Sequence, residues 1–232
     1  MVLAASVLLA TSANAADYGS IPMAQPVMRA AEAVTEYASN WYLRGDIAYR
    51  ANSIKSSDVL IAPNAVTNRA GEAFGGGLGM GYSAGWFRAD VTVDYAGPWT
   101  YQGDTSTTTN YFEGRIGAFT ALVNGYIDMG TWAGFTPYVG AGIGASMVRT
   151  SGFADLGVAT TTAIQNTSHW NVAWAYMAGV SYRISNNFLI DVGYRHLELG
   201  EARTGVDSNG NRLTLKNLSS DEVRVGARYQ ID

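Results

Sequence analysis

The chain has 232 residues, only 15% of them are charged, and the formal net charge at pH 7 is −4. Such a low share of charged residues is typical of proteins that expose little surface to water, yet no run of about 18 apolar residues is present, which excludes a membrane protein built from helices. A negative net charge without a cluster of Lys and Arg argues against nucleic acid as a partner. A transmembrane β-barrel remains compatible, because its apolar residues alternate with polar ones.

The first forty residues predict a leader and a connecting segment. The apolar stretch "VLAASVLLATSANA" ends in small residues, and Ala13 and Ala15 occupy the −3 and −1 positions of a signal-peptidase site. We therefore assign residues 1–15 to a signal peptide. Residues 16–40, which are rich in Ala and contain two prolines, are predicted to form a periplasmic N-terminal lead-in.

From Trp41 onward the sequence alternates between apolar and polar residues in segments of 10 to 15 residues. In "WYLRGDIAYR", for example, Trp41, Leu43 and Ile47 share one face of an extended strand. A tilted strand that crosses a bilayer needs about this length. The predicted strands are 41–50, 73–82, 86–95, 113–129, 136–149, 169–183, 187–198 and 219–231.

Long and short connections alternate between these strands. The long ones, which are polar, are about 51–72, 96–112, 150–168 and 199–218, and the short ones are 83–85, 130–135 and 184–186. Short periplasmic turns and long external loops are typical of outer-membrane barrels with both termini in the periplasm, whereas a soluble sandwich has no reason to sort its connections by length. We therefore predict an all-β fold over 41–232, an eight-stranded antiparallel up-and-down transmembrane β-barrel with four long external loops.

Aromatic residues fall near the predicted ends of the strands. Transmembrane barrels carry such residues as two girdles at the interfaces between lipid and water. We therefore expect contact with outer-membrane lipid through an aromatic girdle formed by Trp41, Tyr49, Tyr82, Phe87, Tyr95, Tyr182, Phe188, Tyr194 and Tyr229.

Charged residues occupy the opposite face of the strands, where they point into the barrel. Six are basic and six are acidic, and unpaired charges in so narrow an interior would be very costly. We therefore predict a lumen plugged by ion pairs. The predicted network consists of Arg44, Asp46, Arg50, Arg88, Asp90, Asp94, Asp128, Asp191, Arg195, Glu222, Arg224 and Arg228.

Three stretches, "FTPYVGAGIGAS", "DVGYRHLELG" and "SSDEVRVGARY", carry a resemblance to a known family. They resemble the porin-like outer-membrane surface antigens of alphaproteobacteria, which are opacity-type eight-stranded barrels. The resemblance covers most of residues 41–229 and implies a protein of the Gram-negative outer membrane that is inserted by the barrel-assembly machinery. Members of that family normally end on an aromatic residue, whereas this chain ends on Asp232, with Tyr229 as the nearest aromatic residue.

These observations favour a non-enzymatic outer-membrane protein that supports envelope integrity and displays loops as a surface antigen for contact with a host surface or ligand. The alternative is a narrow porin-like channel or a haemin-binding outer-membrane protein, which the resemblance keeps open. Haemin binding would need exposed aromatic residues in the long loops, and the candidates are Tyr101, Tyr111, Phe112 and Phe153.

No catalytic, cofactor or metal site is predicted. The glycines of "GGGLGMG" have the spacing of a phosphate loop, but they lie on one face within a strand, where a strip without side chains leaves room for long neighbours. Only two histidines are present, His169 and His196, which are too few for a histidine metal site. His196 is two residues after Tyr194, so its side chain should also face outward, and it is expected at the membrane interface.

Overall fold

The computed structural model describes residues 40–59, 66–105, 111–156, 161–205 and 213–231. The predicted signal peptide and all but the last residue of the predicted lead-in lie outside these residues. Within the described part of the chain, no helix has the length and apolar character needed to cross a bilayer.

The described residues form antiparallel β-strands throughout. They are β1 (Trp41–Val59), β2 (Val66–Ala70), β3 (Glu72–Ala84), β4 (Phe87–Thr105), β5 (Tyr111–Asp128), β6 (Phe135–Leu156), β7 (Thr161–Ala163), β8 (Thr167–Arg183), β9 (Phe188–Arg203) and β10 (Leu213–Gln230).

Eight of these strands close into a barrel in the order β1, β3, β4, β5, β6, β8, β9 and β10, and β10 returns to pair with β1. The closing pair is in register from Tyr42 with Gln230 to Val59 with Leu213. The short strands β2 and β7 pair with the far ends of β4 and β6. The predicted fold class, an eight-stranded antiparallel up-and-down barrel, is confirmed.

Apolar side chains cover the outside of this barrel. Ile47 is 70% exposed, Phe74 is 75% exposed and Val172 is 72% exposed, whereas Arg50 and Glu222 are almost completely buried. Because successive side chains in a strand point to opposite faces, the alternation in the sequence produces this arrangement directly. This arrangement, with apolar residues outside and charged residues inside, is the reverse of that in a water-soluble protein. It fits a barrel that is surrounded by lipid.

The barrel has two different ends. At the turn end, short connections join β3 to β4, β5 to β6 and β8 to β9. Gly85 has φ +64 and forms the β3–β4 turn with Trp86, one residue later than predicted. Ala133 and Gly134 both have positive φ and form the tight β5–β6 turn. At the opposite end, which we call the long-hairpin end, β1, β4, β6 and β9 lead into the longer connections.

At the long-hairpin end the strands run further than predicted. Residues that were predicted as loop belong to strands over 51–59, 66–70, 96–105, 150–156, 199–203 and 213–218. The polar composition of these segments suggested loops, but backbone pairing continues beyond the apolar outer face, because N–H and C=O groups that pair across a hairpin need no lipid contact to remain in a sheet. The loops predicted from the sequence are therefore largely the stems of long hairpins.

Candidate functional site

The interior of the barrel is the most distinctive part of the molecule. All twelve charged residues that the sequence placed inside have side chains that are buried or half-buried. Eight of them form one connected set of ion pairs, which we call the central network. Its members are Arg44, Asp46, Arg50, Asp90, Asp94, Arg195, Glu222 and Arg224.

Glu222 on β10 forms ion pairs with three guanidinium groups. Its carboxylate lies 3.3 Å from Arg50 Nη1, 2.8 Å from Arg195 Nη2 and 3.1 Å from Arg224 Nη1. These residues come from β1, β9 and β10, which are neighbours because the barrel closes between its first and last strands. One buried carboxylate thus connects three strands.

Arg224 extends the network to the other side of the barrel. Its Nη2 donates to Asp94 on β4 at 2.5 Å and to Asp46 on β1. Asp94 also accepts from Arg195 Nη1 at 3.1 Å. Because β4 pairs with neither β9 nor β10, the bonds that Asp94 accepts from Arg195 and Arg224 cross the interior rather than follow the sheet.

Arg44 completes the central network. Its guanidinium lies 3.2 Å from Asp46 and 3.1 Å from Asp90. Asp90 also accepts from Asn124 Nδ2 at 2.7 Å and from the Tyr42 hydroxyl at 3.1 Å. With four arginines and four carboxylates, the network has no net charge, which reduces the cost of burying it.

The remaining four charges form two pairs nearer the turn end. Arg88 Nε lies 2.8 Å from Asp128, and Arg228 Nη2 lies 3.2 Å from Asp191. The Arg88 guanidinium also lies over the ring of Tyr126, 4.7 Å from its centroid. Every charged residue predicted for the lumen therefore has at least one partner of opposite sign.

Glycines on β3 make room for these long side chains. A Cβ added at Gly75 would lie 2.8 Å from Arg50 Nε, and one at Gly79 would lie 3.1 Å from Arg44 Cγ. Both distances are shorter than ordinary carbon contacts, so any side chain at these positions would displace an arginine. The glycine strip therefore has the spacing role expected from the sequence.

Little empty space remains in the charged region. A cavity of about 20 Å³ lies among Arg44, Asp46, Asp191, Arg195 and Arg224. This volume holds about one water molecule.

Toward the long-hairpin end the interior changes from charged to apolar, which sequence reasoning missed. The side chains there are almost fully buried and pack into one cluster. We call it the apolar layer, and its larger members are Trp99, Tyr101, Ile116, Val148, Phe153, Ile164, Leu197, Leu199, Leu213, Leu215 and Leu218.

Part of the apolar layer was visible in the sequence. Leu197 and Leu199 have the same parity as the inward-facing Arg195, so alternation alone places them inside. Trp99 and Leu215 are different, because register shifts between Ala96 and Trp99 on β4 and between Leu215 and Leu218 on β10 reverse the parity. Gly97 and Pro98 lie within the β4 bulge, where these residue types are common, but both fall beyond the predicted strand 86–95.

The structure corrects two of the residues proposed for haemin. Tyr101 is 0% exposed and Phe153 is 2% exposed, and their rings stack with centroids 5.8 Å apart inside the apolar layer. They cannot present an exposed ring because the strands continue past them. The side chains of Tyr111 and Phe112 lie outside the described part of the structure.

The nine aromatic residues predicted as girdles all lie on the outer face of the barrel, with exposures between 36% for Phe188 and 51% for Tyr229. Several contact other exposed rings on neighbouring strands: the centroids of Trp41 and Tyr82 are 5.4 Å apart, and those of Tyr95 and Phe119 are 5.3 Å apart. Trp41 and Tyr82 lie at the turn end, and Tyr95 and Phe119 lie toward the long-hairpin end.

His196 lies on the outer face in a small polar cluster. Its Nδ1 is 2.7 Å from Asp221 Oδ1, which also accepts a hydrogen bond from the Tyr194 hydroxyl at 2.6 Å. The ring of His196 stacks on Tyr176, with centroids 4.9 Å apart. This arrangement fits a polar anchor above the apolar part of the wall, where Tyr and His side chains are common.

Comparisons with known proteins agree with this architecture. The model of the outer membrane protein beta-barrel domain family matches residues 2–230. A protein of Rickettsia bellii (strain OSU 85-389) named "Putative adhesin" is 29% identical over 201 residues, which cover 82% of this chain and 83% of the relative. A protein of Brucella abortus (strain 2308), named only as uncharacterized, is 25% identical over 278 residues, covering 96% and 95% of the two chains.

Solved structures show the same fold. OprG from Pseudomonas aeruginosa superposes with a TM-score of 0.55 at 15% identity, covering 84% of this chain and 97% of that one.

Both sequence relatives come from alphaproteobacteria, which confirms the resemblance found in the sequence. The family match extends over almost the whole chain, and the barrel is closed with an apolar exterior. The chain therefore belongs to the outer membrane protein beta-barrel domain family, and its place is the outer membrane.

Proposed function

We propose that this protein is a non-enzymatic structural barrel of the outer membrane that supports envelope integrity and displays its four long hairpins for contact with a host surface or ligand. What supports this proposal is the content of the interior: ion pairs lie in the middle of the barrel, and the apolar layer lies toward its long-hairpin end. A barrel filled in this way has its available surface on the outer wall and on the hairpins.

The hairpins are the part of the molecule best suited to recognition. β1 and β4 extend well beyond the outward-facing Tyr49 and Tyr95, and β6 extends beyond Met147, which pairs with the exposed Trp170 of β8. Paired strands of this kind form rigid supports, which are the usual base of binding loops. The name of the Rickettsia relative, an adhesin, supports contact with a surface as the role.

The proposed topology places both termini in the periplasm and the long-hairpin end outside the cell, as barrels with long external connections do. Protease added to intact cells should then cut within 60–65, 106–110, 157–160 or 206–212, which connect the hairpin strands. Cleavage from outside at the β5–β6 turn, residues 129–134, would invert the topology.

Adherence tests the function itself. Cells of a non-adherent Gram-negative host that express the protein should bind cultured epithelial cells, and replacing 106–110 and 157–160 with Gly-Ser segments of equal length should abolish binding. The matched control replaces 184–187, the β8–β9 turn at the other end of the barrel. Equal adherence of the hairpin and turn variants would reject the adhesive role.

A further inference from the structure

A groove runs along the outer wall of the barrel across β4, β5 and β6. Its part nearer the turn end has a volume of about 280 Å³ and is lined by Tyr95, Pro98, Phe119 and Met147. The groove forms where the register shift between Ala96 and Trp99 displaces β4, so that the wall is locally uneven. This part of the groove is apolar, as expected of a surface in contact with acyl chains.

The groove continues toward the long-hairpin end and becomes polar. Arg149 lines the apolar part at its upper edge, and Ser151 lines both parts. Beyond them is a wider space of about 610 Å³ lined by Thr100, Arg115 and Glu113 among others. Two arginines against one glutamate give the groove a positive charge directly above its apolar part.

The two arginines are held close together by strand register. Arg149 pairs with Gly117 and Ser151 pairs with Arg115, so the arginines are diagonal neighbours on adjacent strands. Such neighbours are separated by about 7–8 Å, a distance at which two guanidinium groups reach one phosphate. Gly117 between them leaves the groove open, because a Cβ there would meet nothing nearer than Ala96 O at 3.6 Å.

Neither arginine has an ion pair within the described residues, in contrast to other basic residues near the long-hairpin end. Lys55 lies 3.6 Å from Glu198, and Arg203 lies 3.0 Å from Glu201. An arginine on the lipid-facing wall is costly at the bilayer midplane and much less costly at the interface. Met147 lies level with the exposed rings of Tyr95 and Phe119, and Arg149 is two residues further along β6 toward the long-hairpin end. Because aromatic rings mark the interface between lipid and water, Arg149 lies at the depth of lipid headgroups.

We propose that this groove binds one acyl lipid with a phosphate-bearing headgroup, with its chains against Tyr95, Phe119 and Met147 and its phosphate between Arg115 and Arg149. Charge complementarity selects this occupant: the groove offers two cations that have no ion pair in the described part of the chain, above an apolar surface, and a phosphorylated lipid offers an anion above acyl chains. In the topology proposed above, this is a lipid of the outer leaflet, and the site goes beyond the adhesive role because it uses the wall and not the hairpins.

The test measures lipid binding to purified, folded protein in non-ionic detergent by native mass spectrometry. Diphosphoryl lipid A is the probe, the same lipid without its phosphates is the first control, and inorganic phosphate is added as a competitor in a third arm. We expect the phosphorylated lipid to bind at least tenfold more tightly than the dephosphorylated one, and inorganic phosphate at equal concentration not to displace it. Equal binding of the two lipids, or displacement by phosphate alone, would overturn the proposal.

Two independent variants locate the site. Arg115→Gln combined with Arg149→Gln should weaken lipid A binding at least tenfold by removing the anion partners, and Gly117→Leu should do so by filling the groove while both charges remain. Arg183→Gln removes an exposed arginine at the turn end and should leave binding unchanged. Folding is checked on gels by the shift in migration on boiling, and if the double variant does not fold, Gly117→Leu decides. Wild-type affinity in a folded Gly117→Leu protein would refute the proposed site.

Discussion

Arg50 and Glu222 are direct cross-strand partners in the pair of strands that closes the barrel, and Arg50 Nη1 lies 3.3 Å from Glu222 Oε1. Both side chains are at most 1% exposed. Arg50 belongs to the first strand of the barrel and Glu222 to the last. The barrel is therefore joined at its seam by a buried ion pair in addition to the backbone hydrogen bonds.

Replacing Glu222 with glutamine should destabilise the barrel clearly. Glu222→Gln leaves Arg50, Arg195 and Arg224 with one negative charge too few in a buried site, and removing one member of a buried pair typically costs about 3–5 kcal/mol. Equilibrium unfolding in detergent measures the loss. Glu201→Gln, which breaks a more exposed pair with Arg203, is the control and should cost at most about 1 kcal/mol. Equal losses would mean that the central network is not important for stability.

The double variant Glu222→Gln with Arg224→Gln should lose less stability than the two single variants added together. The two side chains form an ion pair at 3.1 Å, so their effects should be coupled. Removing both charges leaves the network neutral, whereas each single change leaves an uncompensated charge. A double-mutant cycle on the free energies of unfolding measures the difference. Strict additivity would show that the two residues act independently.

Truncating the apolar layer should also destabilise the barrel. Leu197 is fully buried, and Leu197→Ala is expected to cost about 2–5 kcal/mol because it opens a cavity in a packed region. Val225→Ala is the control: Val225 lies on the outer face and is 46% exposed, so detergent or lipid fills the space it leaves. The same unfolding assay applies, and a loss for Val225→Ala as large as for Leu197→Ala would contradict a tightly packed interior.

Two glycine substitutions separate crowded from open positions. A Cβ at Gly179 would lie 2.6 Å from both Tyr138 Oη and Val192 O, whereas one at Gly117 would have its nearest contact at 3.6 Å. Gly179→Ala should therefore cost on the order of 1–3 kcal/mol through overpacking, and Gly117→Ala should leave the melting temperature unchanged or raise it slightly. The reverse order of stabilities would show that the ring of Tyr138 is packed differently.

The protein should not conduct ions. A cavity of about 20 Å³ lies in the charged region, and the apolar layer lies between this region and the long-hairpin end. In planar bilayers we expect rare, small openings at most. Steady conductance by the wild-type protein would favour the narrow porin-like channel over the structural barrel.

The sequence predicted the existence, order and inner face of the barrel strands, because period-two alternation determines which side chains share a face. It could not predict ion-pair partners, which depend on how strands are staggered around the barrel. Arg88 and Asp90 are two residues apart on β4, yet Arg88 pairs with Asp128 and Asp90 pairs with Arg44. Such partners become apparent only when the register of every strand is known.

The apolar layer was missed for two physical reasons. The polar hairpin segments were predicted to be loops. Paired strands that extend into water, however, also alternate between inward-facing and outward-facing side chains, just as strands in lipid do. Bulges then moved Trp99 and Leu215 to the inner face, and a bulge has no sequence signature as strong as alternation. Residue type agrees with the irregular backbone at Asn217, which has φ +54 next to the β10 bulge, and at Gly97 and Pro98 in the β4 bulge.

The composition of the central network has a consequence for the order of assembly. A sheet that lacks β10 would have Arg50 and Arg195 in place but not Glu222, and Asp46 and Asp94 without Arg224. The last strand to be synthesised thus supplies both the missing hydrogen-bonding edges and the missing counter-ions. Insertion of β10 therefore completes the backbone pairing of the barrel and the ion pairs of its interior in the same step, and Arg50 gains its buried partner only when the barrel closes.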